Sequence, residues 1–348
     1  MGGLIKKSLL KNTKSKDAAT LRKLQTPKVA EPVLKGSKDL VSRIKDVVKV
    51  VNKELGKYRE TYIVIRDEKT AIDYFNHIKI NGIAAIDTET ISLDPLTGDV
   101  VGVCLYTPGE KPAYIPINHI SYITQQKLEN QLSKEFIAGL LKDVANVNWI
   151  FHNAKFDIEF VYCYFGVYLK CYWDTLLGAK CLNENESAAL KELHLKYCNS
   201  SDHKAFTFDT LFSGIPFNYI PINTGYLYAA GDAIKTFELY EFQAQYLNRR
   251  VLPGCANVLK NIEIPCIDCV VELELTGVEL DHSVISDLAE RYSSILVSRK
   301  NIAIDLFSQY EQEIKQYIAE HPEKPMEYPV NISSSTQLSI FFYDILHC

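Results

Sequence analysis

Two carboxylates stand at the end of a predicted buried strand. Asp87 and Glu89 are two residues apart and directly follow the apolar run at 83–86, and in an extended chain such residues point to the same side. Neighbouring carboxylates repel each other and take up protons unless a cation lies between them. Since both ligands are oxygens, the preferred cations are magnesium and manganese. The pair predicts a divalent-metal site, although an isolated Asp-x-Glu after a strand is also typical of surface turns.

Two further acids occupy positions from which they could join this site. Asp157 follows a strand predicted at 148–151 and lies in the first turn of the next helix, where acids are also common because they favour the helix dipole. Tyr228 and Asp232 are four residues apart, so a helix places them on one face, where they can hold a water and a metal together. Each pattern is common alone. The three patterns in this order predict one metal-dependent active site.

The apolar patterning predicts the elements that would position these residues. Strands are predicted at 62–65, 82–87, 100–106, 113–117 and 148–151. Helices are predicted at 38–58, 69–80, 125–143, 264–275 and 281–307, with only helices from 157 to 246. Three strands of hairpin type, then a helix, a strand and a helical run indicate an α/β fold, in which a mixed sheet is flanked by helices.

Composition and charge favour a soluble protein that meets nucleic acid. The chain has 348 residues, of which 47% are apolar, and it lacks the apolar run of about 18 residues that a membrane span requires. Residues 1–60 carry 16 Lys and Arg against 6 Asp and Glu, although the whole chain has a net charge of −5. Such a basic arm is typical of nucleic-acid binding, and also of a solvated tail. Nine scattered cysteines favour a reducing compartment, so we expect a cytoplasmic protein, in bacteria or in a phage-infected host.

The motifs resemble those of the 3′–5′ proofreading exonuclease domain of family A DNA polymerases, the bacterial DNA polymerase I type and its phage relatives. Residues 87–94 resemble the first exonuclease motif, 153–157 the second, and 228–232 the third in its tyrosine variant, with Gly231 where an acid often stands. Residues 263–281 and 331–338 resemble the start of the polymerase thumb. The resemblance implies a ribonuclease H-like fold. Because palm and fingers motifs are absent, we expect no polymerase activity from this chain alone.

These resemblances predict three regions. Residues 1–60 form a basic flexible arm with an amphipathic helix, residues 61–247 form the exonuclease domain, and residues 248–348 form a truncated, helical, thumb-like segment.

The resemblance also implies a role for each motif residue. Two divalent ions, Mg²⁺ or Mn²⁺, would be held by Asp87, Glu89, Asp157 and Asp232. The substrate, a single-stranded or frayed 3′ end of DNA, would be contacted by Thr88, Leu93, Asn153 and Lys155. Tyr228 would orient the attacking water, Asn153 would hold the terminal nucleotide, and Leu93 would lie against the last base. The product would be a nucleoside 5′-monophosphate.

Two alternative functions stay open at this point. A ribonuclease of the D type, which trims RNA 3′ ends, would use the same four acids, although the thumb-like segment favours DNA. The chain could instead be a non-catalytic N-terminal module of a split polymerase that docks to a separate chain carrying the palm and fingers. The apolar segment 341–346, which we expect to be exposed, favours such a partner. The catalytic and docking roles are compatible.

Overall fold

The computed structural model describes residues 39–198, 204–212 and 214–348. Of the basic arm and helix predicted at 1–60, residues 1–38 lie outside the described residues. The chain divides into two compact units, the first ending at Thr276 and the second comprising Gly277–Cys348. Among the described residues, no helix has both the length and the apolar character that crossing a membrane requires.

A six-stranded mixed sheet forms the centre of the first unit. Its strands are β1 (Ile63–Val64), β2 (Ile83–Thr90), β3 (Val100–Tyr106), β4 (Ala113–Pro116), β5 (Asn148–Phe151) and β6 (Cys171–Asp174). The spatial order is β1-β4-β3-β2-β5-β6. Strands β2, β3 and β4 pair antiparallel as a meander, whereas β5 runs parallel to both β2 and β6. This is the ribonuclease H-like arrangement that we expected.

Helices of the first unit cover both faces of the sheet. They are α1 (Leu40–Leu55), α2 (Glu68–Asn81), α3 (Lys134–Asp143), α4 (Ala154–Phe165), α5 (Thr175–Leu182), α6 (Leu190–Tyr197), α7 (Phe208–Phe212), α8 (Ile222–Ala244), α9 (Pro253–Val258) and α10 (Ile264–Thr276). From Val103 onwards, residues of β3 alternate between two cores: Val103 and Leu105 pack with α2 and α4, and Cys104 packs with α1 and α8. Val101 also lies in the second core, because the β2–β3 register shifts before Gly102. Because both faces are covered, β3 consists of apolar residues and one glycine, except at its final tyrosine.

Two predicted elements were wrong. The helix predicted at 125–143 begins only at Lys134, where the Ser133 hydroxyl accepts a hydrogen bond from the N–H of Phe136. The purely helical run predicted from 157 to 246 contains strand β6, in which Tyr172 is exposed between two buried residues. A strand of four residues is too short for its alternation to stand out from neighbouring helices. Strand β2 also runs beyond its predicted end, so Glu89 lies within it.

The second unit contains α11 (His282–Ser308), α12 (Glu311–Glu320) and α13 (Ser335–Ser339), which continues as a π-helical segment, Ile340–Ile345. Its core contains Phe307, Ile314 and Phe341, and the rings of Phe307 and Phe341 are 4.6 Å apart. The expected exposure of the segment 341–346 is therefore wrong for Phe341, because that side chain fills the core of its own unit. Phe342 and Tyr343 are exposed as expected.

Candidate active site

The first two acids lie on the central strand β2. Asp87 pairs with Cys104 of β3, and one oxygen of Asp87, one of Glu89 and the Cys104 sulfur lie within 4.8 Å of one another. Neither carboxylate accepts a hydrogen bond from any residue that the structure describes. Their oxygens are therefore available to a cation.

Asp157 approaches this pair from the first turn of α4, as predicted. Its Oδ1 atom accepts hydrogen bonds from the backbone N–H and the hydroxyl of Thr88, at 2.8 and 2.7 Å. These bonds join α4 to β2 between the two acids of the strand. Burial raises the pKa of Asp157 to about 7, and the bonds from Thr88 oppose that rise.

A second carboxylate, Asp174, fixes the start of α4. Asp174 ends β6 and accepts hydrogen bonds from the backbone N–H groups of Asn153, Ala154, Leu176 and Leu177, at 3.2, 2.8, 2.8 and 3.3 Å. Asn153 has a φ of +73°, a left-handed conformation that asparagine tolerates better than most residues. Its side chain does not cap the helix. Asp174 thus positions the turn from which Asp157 projects, and it leaves the Asn153 amide available to a ligand.

Helix α8 brings the third motif to the same site, the acid rim, which consists of Asp87, Glu89, Asp157 and Asp232. Tyr228 and Asp232 lie one turn apart on α8, which packs on β2 and β3. Between and beside them, Ala229, Ala230 and Ala233 are fully buried. Their small side chains allow the helix backbone to approach the sheet closely, which carries the Asp232 carboxylate to the acids of β2.

The two oxygens of Asp232 have different surroundings. Oδ2 accepts a hydrogen bond from the ammonium of Lys191, on α6, at 2.7 Å, whereas Oδ1 is buried without a hydrogen-bond partner. The same ammonium donates to the Tyr228 hydroxyl at 2.7 Å and lies 4.0 Å from the centre of its ring. Burial, followed by the charge of Asp232, raises the pKa of Tyr228 well above its ordinary value, so the phenol stays protonated.

Burial, together with mutual repulsion, raises the pKa of two acids at this site. Burial, and then the charges of Asp157 and Asp232, raise the pKa of Asp87 well above its usual range. Burial and the charge of Asp232 raise the pKa of Glu89 to about 8, although the Lys191 ammonium opposes that rise. The raised pKa values indicate that the nearby ammonium of Lys191 does not balance the charge of these carboxylates.

The donor set fits a divalent cation with oxygen ligands. Asp232 Oδ1 is buried and unpartnered, and the oxygens of Asp87 and Glu89 lie close together without donors. Carboxylate oxygens are the ligands that magnesium and manganese prefer. Burial, and next the charge of Asp87, raises the pKa of the Cys104 thiol, so this sulfur stays protonated and is a poor ligand for those ions.

The remaining predicted residues have different surroundings. Leu93 is 86% exposed in the loop after β2. Thr88 is buried, and its hydroxyl is bonded to Asp157. The Lys155 ammonium donates to Glu274 at 2.7 Å and lies 3.7 Å from Glu159, so in this structure it joins α4 to α10.

Sequence reasoning missed three polar residues around the rim. Lys191 carries no local signal, because it lies 41 residues before its partner Asp232. Asp174 does carry a local sequence signal, since an aspartate directly before a helix is typical of an N-cap. His152 bonds to the Thr175 hydroxyl at 2.8 Å, and burial lowers its pKa to about 4, so its imidazole is neutral.

Comparisons with known proteins agree with this architecture. The model of a 3′–5′ exonuclease family matches residues 62–247. DNA polymerase I of Chloroflexus aurantiacus is 27% identical over 237 residues, covering 66% of this chain and 24% of that protein. DNA polymerase I of Pseudomonas aeruginosa is 25% identical over 259 residues, covering 71% of this chain and 27% of that protein. The chain spans about a quarter of the length of these relatives.

Among solved structures, Brucella melitensis NrnC aligns with a TM-score of 0.43 and 23% identity, covering 56% of this chain and 86% of that chain. The family match spans more than half of the sequence and includes strands β1–β6 and all four acids of the rim. The chain belongs to the family of 3′–5′ exonuclease domains that occur in DNA polymerase I.

Proposed function

We propose that this chain hydrolyses the last phosphodiester bond at DNA 3′ ends and releases nucleoside 5′-monophosphates. Two divalent ions, Mg²⁺ or Mn²⁺, would be held by Asp87, Glu89, Asp157 and Asp232. The observation that carries this proposal is the unbalanced rim, where buried carboxylates raise one another's pKa and Asp232 Oδ1 has no partner. A structural acid cluster would have its oxygens hydrogen-bonded, as those of Asp174 are.

When bound, divalent ions would supply a water of lowered pKa and would stabilise the departing 3′ oxygen. The residues of the chain provide the geometry. Asp87 interacts by charge with all three other acids, so its carboxylate would hold the ions together with theirs. Asp157 is held by Thr88 in a fixed orientation. The Tyr228 oxygen accepts from Lys191 and keeps its own proton to donate, so it can orient the attacking water.

The proposed substrate is a single-stranded or frayed 3′ end. Leu93 is exposed in the loop after β2, where it can lie against an unstacked base, and the Asn153 amide is available beside the rim. Contacts of this kind bind a strand without reading its sequence. Proofreading during DNA replication is the cellular role that we propose for this activity.

Matched DNA and RNA oligonucleotides test the proposal. With Mg²⁺ we expect release of nucleoside 5′-monophosphates from single-stranded DNA, loss of that activity in Asp232→Ala, and no loss in Asp143→Ala, an exposed acid on α3. Full activity of Asp232→Ala would refute the assignment. Degradation of RNA but not DNA would favour the ribonuclease D alternative.

We also propose that the chain works together with a separate chain that carries the palm and fingers of a polymerase. Helix α11 supports this proposal, because it exposes large apolar side chains at Val284, Leu288, Tyr292, Leu296 and Leu306. Several exposed large apolar side chains on one helix are typical of a protein interface. Co-purification of a polypeptide with nucleotide-adding activity is the expected result, and its absence from an exonuclease-active preparation would contradict this proposal.

A further inference from the structure

Lys191 contacts two of the residues to which we assign roles at the acid rim. Its ammonium donates to the Tyr228 hydroxyl and to Asp232 Oδ2, each at 2.7 Å. The side chain is only 13% exposed, so little water competes for these bonds. A single side chain of α6 thus connects the two functional groups that α8 presents to the rim.

The contact with Asp232 determines which of its oxygens is available to a ligand. Lys191 occupies Oδ2, whereas Oδ1 is buried and has no hydrogen-bond partner in the described part of the chain. The ion pair also restrains the carboxyl group, because rotation of that group would break the bond to the ammonium. In this arrangement Oδ1 is the ligand for a cation at the rim, and Lys191 stays bonded to Oδ2.

The contact with Tyr228 determines the direction of its hydroxyl proton. An ammonium can only donate hydrogen bonds, so the phenol oxygen accepts from Lys191 and its own O–H points elsewhere. The ammonium also lies 4.0 Å from the centre of the ring, within the range of a cation–π interaction. Lys191 therefore holds the ring in place and leaves the hydroxyl proton available to a water.

The packing of α6 does not require this ion pair. Leu190 and Leu193 of α6 are buried with Leu239 of α8 in one apolar cluster, which joins the two helices without it. In the first turn of α6, Glu192 complements the helix dipole, whereas the charge of Lys191 opposes it. A buried ion pair also contributes little to stability, because both charges lose water. The partners at the rim therefore explain the position of Lys191 better than the folding of α6 does.

We propose that Lys191 is a positioning residue for the proposed hydrolysis and acts through Tyr228 and Asp232 rather than by contacting the substrate. It directs Asp232 Oδ1 to a divalent ion at the rim, and it holds the Tyr228 hydroxyl in the orientation that serves the attacking water. Its charge also opposes the rise that burial causes in the pKa of Asp87 and Glu89. This inference rests on the proposed function.

Binding of Mn²⁺ to the Lys191→Met variant tests the contact with Asp232. Methionine keeps most of the aliphatic length of lysine and removes the ammonium. At mildly alkaline pH the variant should bind Mn²⁺ about tenfold more tightly than the unaltered protein, because a repelling cation is gone and both oxygens of Asp232 become available. Calorimetric titration of the full chain measures the affinity. An unchanged or weaker affinity would overturn the assignment of Oδ1 as the restrained ligand.

The same variant should hydrolyse DNA more slowly. With saturating Mg²⁺ and a single-stranded oligothymidylate, kcat of Lys191→Met should fall about 100-fold, since a small misplacement of a reacting group has a cost of this size. KM should stay within about twofold, because Lys191 does not contact the substrate. Tighter metal binding combined with slower hydrolysis is not the behaviour of a variant that has lost its fold.

Two variants serve as a control and a rescue. Lys196→Met alters the same helix, but that ammonium donates to Glu186, so neither the Mn²⁺ affinity nor kcat should change. Lys191→Arg keeps the charge and can donate to both oxygens, so its Mn²⁺ affinity should stay within about threefold of that of the unaltered protein, and its loss of kcat should be smaller than that of Lys191→Met.

A double-substitution cycle with Tyr228→Phe tests whether Lys191 acts through the phenol. Tyr228→Phe removes the hydroxyl, so adding Lys191→Met to it should lower kcat by less than about tenfold. Losses that multiply, or a kcat of Lys191→Met within about threefold of the unaltered value, would overturn the inference. An unaltered protein that hydrolyses neither DNA nor RNA would refute the proposed function instead, and the Mn²⁺ titration would still test the contact with Asp232.

Discussion

Asp174, at the end of the edge strand β6, and Asp87, on the inner strand β2, belong to one sheet, but their carboxyl groups have opposite surroundings. Asp174 accepts hydrogen bonds from four backbone N–H groups, including those of Asn153 and Ala154. Asp87 accepts none from the described part of the chain, and its nearest charges include those of Asp157 and Asp232. Backbone N–H groups thus stabilise the carboxylate of Asp174, whereas no donor among the described residues stabilises that of Asp87, which a cation could stabilise instead.

The difference separates an acid that supports the structure of the site from acids that we propose bind metal. Asp174 stabilises the turn that presents Asp157, so its contribution belongs to folding. The rim acids oppose folding in the absence of metal, because like charges lie together away from water. If this comparison is right, substitutions at Asp174 and Asp87 have opposite effects on stability.

The largest expected effect is on catalysis. Asp87→Asn should reduce nuclease activity by about 1,000-fold, because the loss of a shared metal ligand removes several kcal/mol of transition-state stabilisation. Single-turnover hydrolysis of a labelled DNA oligonucleotide measures it. Asp143→Asn serves as the control at an exposed acid, and an Asp87→Asn enzyme within tenfold of the unaltered one would contradict the assignment.

The next effect concerns the acid that builds the site. Asp174→Ala should lower the free energy of unfolding by about 3 kcal/mol, because several buried N–H groups lose their acceptor. Chemical denaturation in the presence of a chelator measures this change. Asp143→Ala, at an exposed acid of α3, is the control. A loss below about 1 kcal/mol at Asp174 would show that its hydrogen bonds do not stabilise the turn.

Metal affinity should depend on pH, since protons compete for the same oxygens. The pKa of Glu89 is raised to about 8 and that of Asp157 to about 7, so the metal-free rim holds protons at neutral pH and releases them on binding a cation. We expect Mg²⁺ affinity to increase at least about tenfold from pH 6 to pH 8. Calorimetric titration at several pH values tests this expectation, which a constant affinity would contradict.

The same shifts set the sign of the stability change in metal-free protein. Because folding raises the pKa of Glu89 and Asp157, the folded state binds more protons than the unfolded chain at intermediate pH. Stability should therefore fall as the pH rises from the ordinary carboxyl range, about 4, towards the raised values of about 7 and about 8. Thermal unfolding in chelator across this range measures the trend, and a rise in stability would reverse the assigned sign.

The smallest expected effect is a gain in stability. Asp87→Asn should raise the metal-free free energy of unfolding at neutral pH by about 1 kcal/mol, because it removes a buried carboxyl group that is ionised in the unfolded chain and has a raised pKa in the folded one. Asp232→Asn should give no such gain, since it leaves the Lys191 ammonium without its anionic partner. Urea unfolding of both variants in chelator makes the comparison. Destabilisation by Asp87→Asn would show that its carboxylate is satisfied by the fold alone.

The sequence predicted the parts of the site that depend on local position. Asp87 follows an apolar strand, Asp157 opens a helix, and Asp232 lies one turn after Tyr228. The structure has these elements, although the metal-binding role of the acids stays a prediction. The meander of β2, β3 and β4 was also predictable, because its strands are apolar and separated by turn-forming residues.

The parts that escaped prediction depend on distant pairing. Asp174 reaches the backbone of Asn153 across 21 residues, and Lys191 meets Asp232 across 41. Such contacts exist only once β6 and α6 are placed, and no periodicity encodes them. Lys155 was predicted to contact substrate, and nothing in the sequence indicated that Glu274 of α10 forms an ion pair with it.

The most direct test of the shared-metal claim is an anomalous difference map from crystals grown with Mn²⁺. The account predicts two peaks, about 3.5–4 Å apart, bounded by the carboxylates of Asp87, Glu89, Asp157 and Asp232. A crystal grown at a saturating Mn²⁺ concentration that shows no peak at this rim, or manganese bound only elsewhere, would contradict the account.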